Sequence, residues 1–286
     1  MPPRIAGLSD IAAEHDAILC DIWGVVHNGV ALFPGVAEAL TKFRQQGKPV
    51  VMLTNAPRPS GPIHTQLARL GLPREAYDEI VTSGDCTRDM LAGRPGLRIR
   101  HIGPERDLPL FDDLDVRLCG ADEAEMVVVT GLYDDTVETP EDYRAELGEL
   151  LARGLPMVCA NPDLVVERGT TMIYCAGAIG ALYKEMGGAV TLYGKPFQGV
   201  YDLAFARIYT LVGHRLAPSR ILAIGDAFAT DLRGAQINGI SALFVTAGIH
   251  AHEMGPTADP DHAKVGAVLA REQLTPVAYL PYLCWA

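Results

Sequence analysis

Short apolar runs alternate along the first third of the chain with stretches whose apolar residues recur every three or four positions. Residues 17–21, 49–54 and 79–83 are apolar runs that each end in a polar residue, which predicts three buried strands. Residues 36–46 and 63–70 have helical spacing, and each stretch stops at a glycine. This alternation predicts a parallel sheet with helices on its faces.

The middle of the chain predicts a second α/β unit. Residues 98–102, 125–130 and 156–160 are apolar runs typical of strands, and residues 141–153 have the spacing of a helix. The strand–helix alternation of the first third then resumes. It predicts helices at residues 176–186, 200–212 and 232–238 and strands at residues 189–193, 221–224 and 242–245. We therefore expect a split core, with residues 1–85 as its first part, residues 86–172 as an inserted cap and residues 173–286 as its second part.

The composition narrows the class of protein. The chain has 286 residues, of which 49% are hydrophobic, and 35 acidic against 24 basic residues give a net charge of −11. No basic patch is visible, so we expect no nucleic-acid partner, because binding phosphate backbones requires clustered Lys and Arg. There is no run of about 18 apolar residues and no signal-peptide pattern, so we expect a cytoplasmic protein without a membrane partner. The six cysteines include no CxxC pair and are interpreted as free thiols.

Several polar residues follow predicted strands, where the functional groups of parallel sheets gather. A carboxylate such as Asp21 can attack phosphorus, and Mg²⁺ prefers carboxylate oxygens such as those of Asp21 and Asp226. A hydroxyl, a backbone amide and an ammonium stabilise a transferring phosphoryl group, and Thr54, Asn55 and Lys195 are the right chemical types. Taken singly, each residue has a structural interpretation as a helix cap or a turn.

The order of these segments carries more information than any one of them. They are Asp21-Ile-Trp-Gly-Val-Val-His-Asn-Gly, Leu53-Thr-Asn-Ala, Thr82-Ser-Gly-Asp, Ala160-Asn-Pro-Asp, Tyr193-Gly-Lys-Pro and Ile224-Gly-Asp-Ala-Phe-Ala-Thr-Asp. In this order the chain resembles the haloacid dehalogenase superfamily, in the branch that contains 4-nitrophenyl phosphatase and N-acetylglucosamine-6-phosphate phosphatase-like enzymes. The resemblance implies an α/β fold with a Rossmann-like parallel-sheet core and an inserted α/β cap domain over the active site.

The resemblance implies Mg²⁺ as cofactor and four residues as its site. Asp21 matches the family's nucleophile, which is also a metal ligand. Asp226 matches the acidic metal ligand, and Asp231 matches the second acid of that motif. Trp23 would offer only its backbone carbonyl to the metal.

The resemblance also implies the residues that hold the substrate. Thr54 matches the residue that hydrogen-bonds the phosphoryl group, with Asn55 beside it, and Lys195 matches the lysine that pairs with nucleophile and phosphate. Asn161 and Asp163 follow a predicted cap strand and either face the cleft or form a turn. The neighbouring polar segment 133–135 is interpreted as solvated surface.

The sequence departs from the family at Trp23, where phosphatases carry a second aspartate that serves as general acid and base. General acid–base catalysis contributes typically about 10²–10⁴-fold. We consider a phosphatase that uses a good leaving group or His27 as a surrogate acid, dehalogenase chemistry, and a phospho-ligand-binding or regulatory module with little or no turnover. The leading hypothesis is a Mg²⁺-dependent phosphatase that acts on a small phosphorylated metabolite through an aspartyl-phosphate.

Two features leave the quaternary structure open. A homodimer that pairs through the caps agrees with the resemblance. The apolar and aromatic residues 279–285 pack either on the core or on a partner subunit.

Overall fold

The computed structural model describes residues 1–286, which form thirteen strands and nine α-helices. In chain order the strands are β1 Ala17–Cys20, β2 Val50–Thr54, β3 Glu79–Thr82, β4 Leu97–Ile102, β5 Val116–Leu118, β6 Met126–Val129, β7 Met157–Cys159, β8 Val165–Arg168, β9 Thr171–Tyr174, β10 Val190–Leu192, β11 Ile221–Gly225, β12 Ser241–Val245 and β13 Ala278–Leu280. The helices are α1 Ser9–Ala12, α2 Val36–Arg44, α3 Ser60–Leu70, α4 Ser83–Ala92, α5 Arg144–Ala152, α6 Ala176–Glu185, α7 Gln198–Val212, α8 Arg233–Ile237 and α9 His262–Glu272.

Six parallel strands form the core sheet in the order β13-β12-β11-β1-β2-β3. Its central strands read as unbroken apolar runs because helices cover both faces of the sheet. Side chains alternate between the faces along a strand, so Ile18 joins one hydrophobic cluster and Leu19 the other. The predicted Rossmann-like parallel-sheet core is confirmed.

A second parallel sheet has the order β10-β7-β6-β4-β5 and lies beside an antiparallel hairpin of β8 and β9. We call that pair of strands, residues 165–174, the cap hairpin. The inserted α/β cap is therefore present.

The expected second boundary of the cap, at residue 172, does not match the sheets. Strand β10 pairs with β7, and Ala176 and Ile179 of α6 pack in the same hydrophobic cluster as β6 and β7. Strand–helix alternation continues unchanged through this region, so the pattern alone does not show which sheet a strand joins. We propose that the chain returns to the core after residue 192.

The C-terminal apolar segment packs on the core. Strand β13 forms the edge of the core sheet, Leu283 is fully buried, and Trp285 packs against the same cluster. All six cysteines are free, as predicted, and four of them are buried. None of the helices has both the length and the apolar surface that crossing a bilayer requires.

Candidate active site

Three buried carboxylates meet at the carboxyl ends of the central strands. Asp21 follows β1 and Asp226 follows β11, which are neighbours in the core sheet, while Asp231 lies on a π-helical turn just beyond. The backbone N–H of Asp21 donates a 2.8 Å hydrogen bond to the carbonyl of Ile224, which fixes the two strand ends together. One oxygen from each carboxylate lies within 4.8 Å of the others.

Lys195 binds two of these carboxylates. Its Nζ lies 2.6 Å from Oδ1 of Asp21 and 2.7 Å from Oδ1 of Asp231, and the side chain is only 3% exposed. Asn55 holds the backbone of the lysine from both sides: its Oδ1 accepts a 2.7 Å hydrogen bond from the Lys195 N–H, and its Nδ2 donates to the Lys195 carbonyl. The segment after β2 therefore positions the lysine.

The site holds more negative than positive charge. Burial, followed by repulsion from Asp231, raises the pKa of Asp21 well above its ordinary value, although Lys195 opposes this. The same two causes raise the pKa of Asp226 to about 7. Burial acts against the Lys195 ammonium, but Asp21 and Asp231 outweigh it and raise its pKa well above the ordinary value. Three carboxylates against one ammonium form an environment that a divalent cation would neutralise.

The oxygen donors fit Mg²⁺, which prefers carboxylate and carbonyl oxygens. No other residue donates a hydrogen bond to Oδ2 of Asp21 or Oδ1 of Asp226, and the Trp23 carbonyl accepts no backbone hydrogen bond. Both oxygens of Asp231, in contrast, are engaged, one by Lys195 and the other by the backbone N–H of Ala227. Asp21, Asp226 and the Trp23 carbonyl therefore present the open oxygens, and Asp231 chiefly holds the lysine.

Two glycines leave room around Asp226. A Cβ placed on Gly24 or on Gly248 would collide with the Asp226 carboxylate. Gly24 also has φ +90°, in the left-handed region that side chains with a Cβ rarely adopt. Access of a ligand to the Asp226 carboxylate consequently depends on glycine at both positions.

The predicted substrate residues surround this cluster. Thr54 ends β2 and is buried, and its Oγ1 accepts a 3.2 Å hydrogen bond from the Ala56 N–H. Asn161 accepts a 3.0 Å hydrogen bond from the Asp163 N–H, which makes the turn foreseen from the sequence. The side chain of Asp163 nevertheless faces the core, where it accepts a 2.9 Å hydrogen bond from Asn55. Burial raises the pKa of this carboxyl.

Two cavities meet beside these residues. The first, of about 270 Å³, is lined by the three acids and Lys195, and we call it the carboxylate cavity. The second, of about 130 Å³, extends between core and cap, and we call it the side cavity. Trp23, Thr54, Asp163 and Val166 line both cavities. The two cavities are therefore adjacent, and these four residues form their common boundary.

The side chain of Trp23 contacts the cap. Its indole Nε1 donates a 2.7 Å hydrogen bond to the backbone carbonyl of Glu167 in the cap hairpin. Its ring packs edge-to-face on His27, with the centroids 5.0 Å apart. Sequence reasoning missed the bond to Glu167, because no local pattern marks a contact between residues so far apart along the chain.

Burial disfavours His27 as a surrogate general acid. Burial lowers the pKa of this fully enclosed imidazole to about 4, so the ring is neutral near pH 7. Its Nδ1 accepts a 2.9 Å hydrogen bond from the Gly29 N–H, while Asn28 Oδ1 accepts hydrogen bonds from the next two N–H groups. His27 and Asn28 therefore shape the loop that follows Trp23.

The polar segment 133–135 is only partly solvated, so that interpretation was wrong for Asp135. Its side chain is 7% exposed because Arg106 and Arg168 both pair with it in the side cavity. These two arginines and Arg58 were missed by the sequence reasoning. Of the three, Arg58 alone had a sequence signal, since it follows Thr54 by four positions on the same loop.

Comparisons with known proteins place both halves of the core in one family. Residues 18–117 match a family described as haloacid dehalogenase-like hydrolase, and residues 192–270 match one described as HAD-hydrolase-like. Chronophin from Rattus norvegicus is 33% identical over 87% of this chain and 82% of its own length. D-glycerol 3-phosphate phosphatase from Mycobacterium tuberculosis is 28% identical over 85% of this chain, which spans 66% of the length of that relative.

Solved structures extend the similarity to the whole fold. A haloacid dehalogenase-like hydrolase from Brucella suis 1330 is 44% identical, with a TM-score of 0.87 that covers 99% of this chain and 100% of the other. A glycerol phosphate phosphatase from Mycobacterium tuberculosis in complex with magnesium is 26% identical, with a TM-score of 0.65 over 84% of this chain and 70% of the other.

Proposed function

Because the chain belongs to the haloacid dehalogenase-like hydrolase family, we propose that it is a Mg²⁺-dependent phosphatase that acts on small phosphorylated metabolites through an aspartyl-phosphate on Asp21. The observation that carries the proposal is the contact of one buried Lys195 Nζ with Asp21 and Asp231, beside the open oxygen of Asp226. The names of the relatives support it, since one is a glycerol phosphate phosphatase solved with magnesium.

In the first step, an Oδ of Asp21 attacks phosphorus, and the bond between phosphorus and the leaving oxygen breaks. Lys195 neutralises the nucleophile before attack and the phosphoryl oxygens as charge moves onto them. The Thr54 hydroxyl donates to the phosphoryl group, and Asn55 keeps the lysine in place. A bound Mg²⁺ would supply positive charge that screens the anionic nucleophile from the anionic substrate.

In the second step, water attacks phosphorus of the aspartyl-phosphate, inorganic phosphate leaves, and the Asp21 carboxylate is regenerated. The proton that an alkoxide leaving group requires has to come from water, because neither Trp23 nor the neutral His27 donates one. Aryl and acyl phosphates need no such proton because their leaving groups are weak bases. We therefore expect these substrates to react faster than alkyl phosphates.

A phospho-ligand-binding module with little turnover is the second candidate. The observation that favours it is Trp23, which replaces the general acid and base and closes the site with a bond to the cap hairpin. Both candidates bind a phosphorylated ligand, and they differ in whether the protein hydrolyses it.

Initial rates of hydrolysis of p-nitrophenyl phosphate and acetyl phosphate, with Mg²⁺ and with EDTA, test the proposal. We expect Mg²⁺-dependent turnover that falls by at least about 10³-fold in Asp21→Asn, since the nucleophile is lost. Asp89→Asn, an exposed carboxylate on α4, is the matched control and should behave as wild type. Equal rates for Asp21→Asn and wild type would overturn the mechanism. No metal-dependent turnover, together with calorimetric binding of phosphate, would select the binding module.

A further inference from the structure

We propose that the side cavity binds a second anionic group of the substrate, a carboxylate or a second phosphate, with Arg58 as its principal ligand. The inference rests on the proposed function, because it assigns the other end of the molecule whose phosphoryl group reacts at Asp21. It narrows the substrate class from phosphate monoesters in general to small monoesters that carry another negative charge.

The position of Arg58 places this second group next to the reacting phosphate. Arg58 lies on the loop between β2 and α3, four positions after Thr54. Four residues of extended chain span at most roughly 13–14 Å, so Arg58 lies within that distance of Thr54. Thr54 and Asp163 line both cavities, while Arg58 lines only the side cavity.

The other two arginines of the side cavity both pair with a carboxylate, that of Asp135. Arg168 forms a two-pronged pair with Asp135, with distances of 3.0 and 2.8 Å, and Arg106 lies 2.5 Å from the same carboxylate. One carboxylate thus holds both guanidinium groups. Such pairs keep their geometry because the planar guanidinium matches the carboxylate fork.

Arg58 has no comparable partner. Its nearest carboxylate is Asp107, where Nε and Oδ1 are 3.7 Å apart, beyond hydrogen-bond distance. The only hydrogen bond that it donates goes to the neutral amide oxygen of Gln66, at 2.9 Å. A guanidinium has five N–H donors, so most of those on Arg58 stay available.

Burial makes this unpaired charge costly without an anion. The Arg58 side chain is 23% exposed, and its burial lowers its pKa below the ordinary value because Asp107 opposes the effect only in part. An anion in the side cavity would provide the missing acceptor. Asp163 also lines this cavity, but Asn55 engages it on the side toward the carboxylate cavity.

Substrates that share one skeleton and differ in one group test the inference. Kinetics with Mg²⁺ would compare glycerol 3-phosphate with 3-phosphoglycerate, which has a carboxylate in place of the terminal CH₂OH, and with glycerol 1,3-bisphosphate. We expect kcat/KM to be at least about 10-fold higher for one of the two substrates that carry a second anionic group, and the preferred substrate identifies that group. Equal or lower kcat/KM for both would overturn the inference.

The variant Arg58→Met assigns the preference to this residue. We expect its kcat/KM for the preferred substrate to fall about 10–100-fold, the size expected for lost hydrogen bonds to a charged group. Its rate on p-nitrophenyl phosphate, which lacks a second anion, should stay within about threefold of wild type and shows that the variant is folded. Arg69→Met, an exposed arginine on α3, is the matched control.

The outcomes separate this inference from the proposed function. Hydrolysis of p-nitrophenyl phosphate with no anion preference, or an equal loss on all substrates in Arg58→Met, would overturn the side-cavity assignment and leave the phosphatase intact. If wild type hydrolyses none of the esters, calorimetric binding of the same substrates decides. In that case the assignment is supported if wild type binds a substrate with the second anion more tightly than glycerol 3-phosphate and Arg58→Met loses this preference. Equal binding of the substrates by wild type overturns it.

Discussion

The indole Nε1 of Trp23 donates a 2.7 Å hydrogen bond to the backbone carbonyl of Glu167, which joins the loop after β1 to the cap hairpin. Trp23 therefore has two consequences at one position. It removes the carboxylic acid that phosphatases of this family use, and it fixes the hairpin whose residues line the carboxylate cavity. Under the proposed function, this side chain would influence both substrate entry and proton transfer.

Replacing Trp23 by phenylalanine should loosen the cap hairpin. The Trp23→Phe variant keeps an aromatic ring beside His27 but loses the N–H donor, and one hydrogen bond contributes about 0.5–1.5 kcal/mol. We expect faster amide hydrogen exchange in residues 165–174, by about 2–10-fold. Trp285→Phe, at the other tryptophan of the chain, is the control and should leave exchange there unchanged. Unaltered exchange in Trp23→Phe would show that the bond does not hold the hairpin.

Substitutions of Asp226 and Asp231 should have different effects. Asp226 presents an oxygen that no other residue engages, whereas Lys195 and the Ala227 N–H engage both oxygens of Asp231. We expect Asp226→Asn to raise the Kd for Mg²⁺ at least 10-fold in calorimetric titrations. Asp231→Asn should lower kcat at saturating Mg²⁺ with a smaller change in that Kd. Equal weakening of Mg²⁺ binding in both variants would make Asp231 a direct ligand.

His101 in the cap should make the protein less stable in acid. Burial lowers the pKa of His101 to about 4, whereas the ordinary value of about 6.5 applies in the unfolded chain. As the pH falls from 6.5 towards 4, the unfolded chain therefore takes up a proton that the folded protein does not, and the free energy of unfolding falls. The stability contribution is fully present above pH 6.5 and amounts to at most about 3 kcal/mol.

Urea unfolding between pH 4 and 7 checks this effect. His101→Gln should reduce the pH dependence of the free energy of unfolding in that window, since glutamine does not titrate. His214→Gln, at an exposed histidine, is the control and should keep the wild-type slope. An unchanged slope in His101→Gln would locate the acid sensitivity elsewhere.

The sequence predicted the acid cluster because parallel strands bring their carboxyl ends to one edge of a sheet. Asp21 and Asp226 each follow an apolar run, and the resemblance, rather than the periodicity, implied that these two strand ends share one site. Thr54 follows by the same reasoning because it ends β2, whereas Lys195 comes three residues after β10 of the second sheet, so only the resemblance implied its place in the cluster.

Contacts between distant side chains could not be predicted in this way. Strand β10 belongs to the second sheet because it pairs with β7. No local sequence pattern indicates that pairing. Asp135 looks like a loop residue until two arginines from other segments bury it. These features depend on how two sheets face each other, and the periodicity of each segment carries no information on that.

An acid placed at position 23 should increase the hydrolysis of alkyl phosphates. In Trp23→Asp the carboxyl group can protonate the leaving alkoxide and then activate water, functions that contribute typically about 10²–10⁴-fold. The substitution also breaks the bond to Glu167, so Trp23→Asn, which breaks it equally and has no proton to give, is the matched control. We expect the ratio of kcat on glycerol 3-phosphate to kcat on p-nitrophenyl phosphate to rise at least 10-fold in Trp23→Asp over Trp23→Asn. Equal ratios in the two variants would mean that a missing proton donor does not limit the hydrolysis of alkyl phosphates.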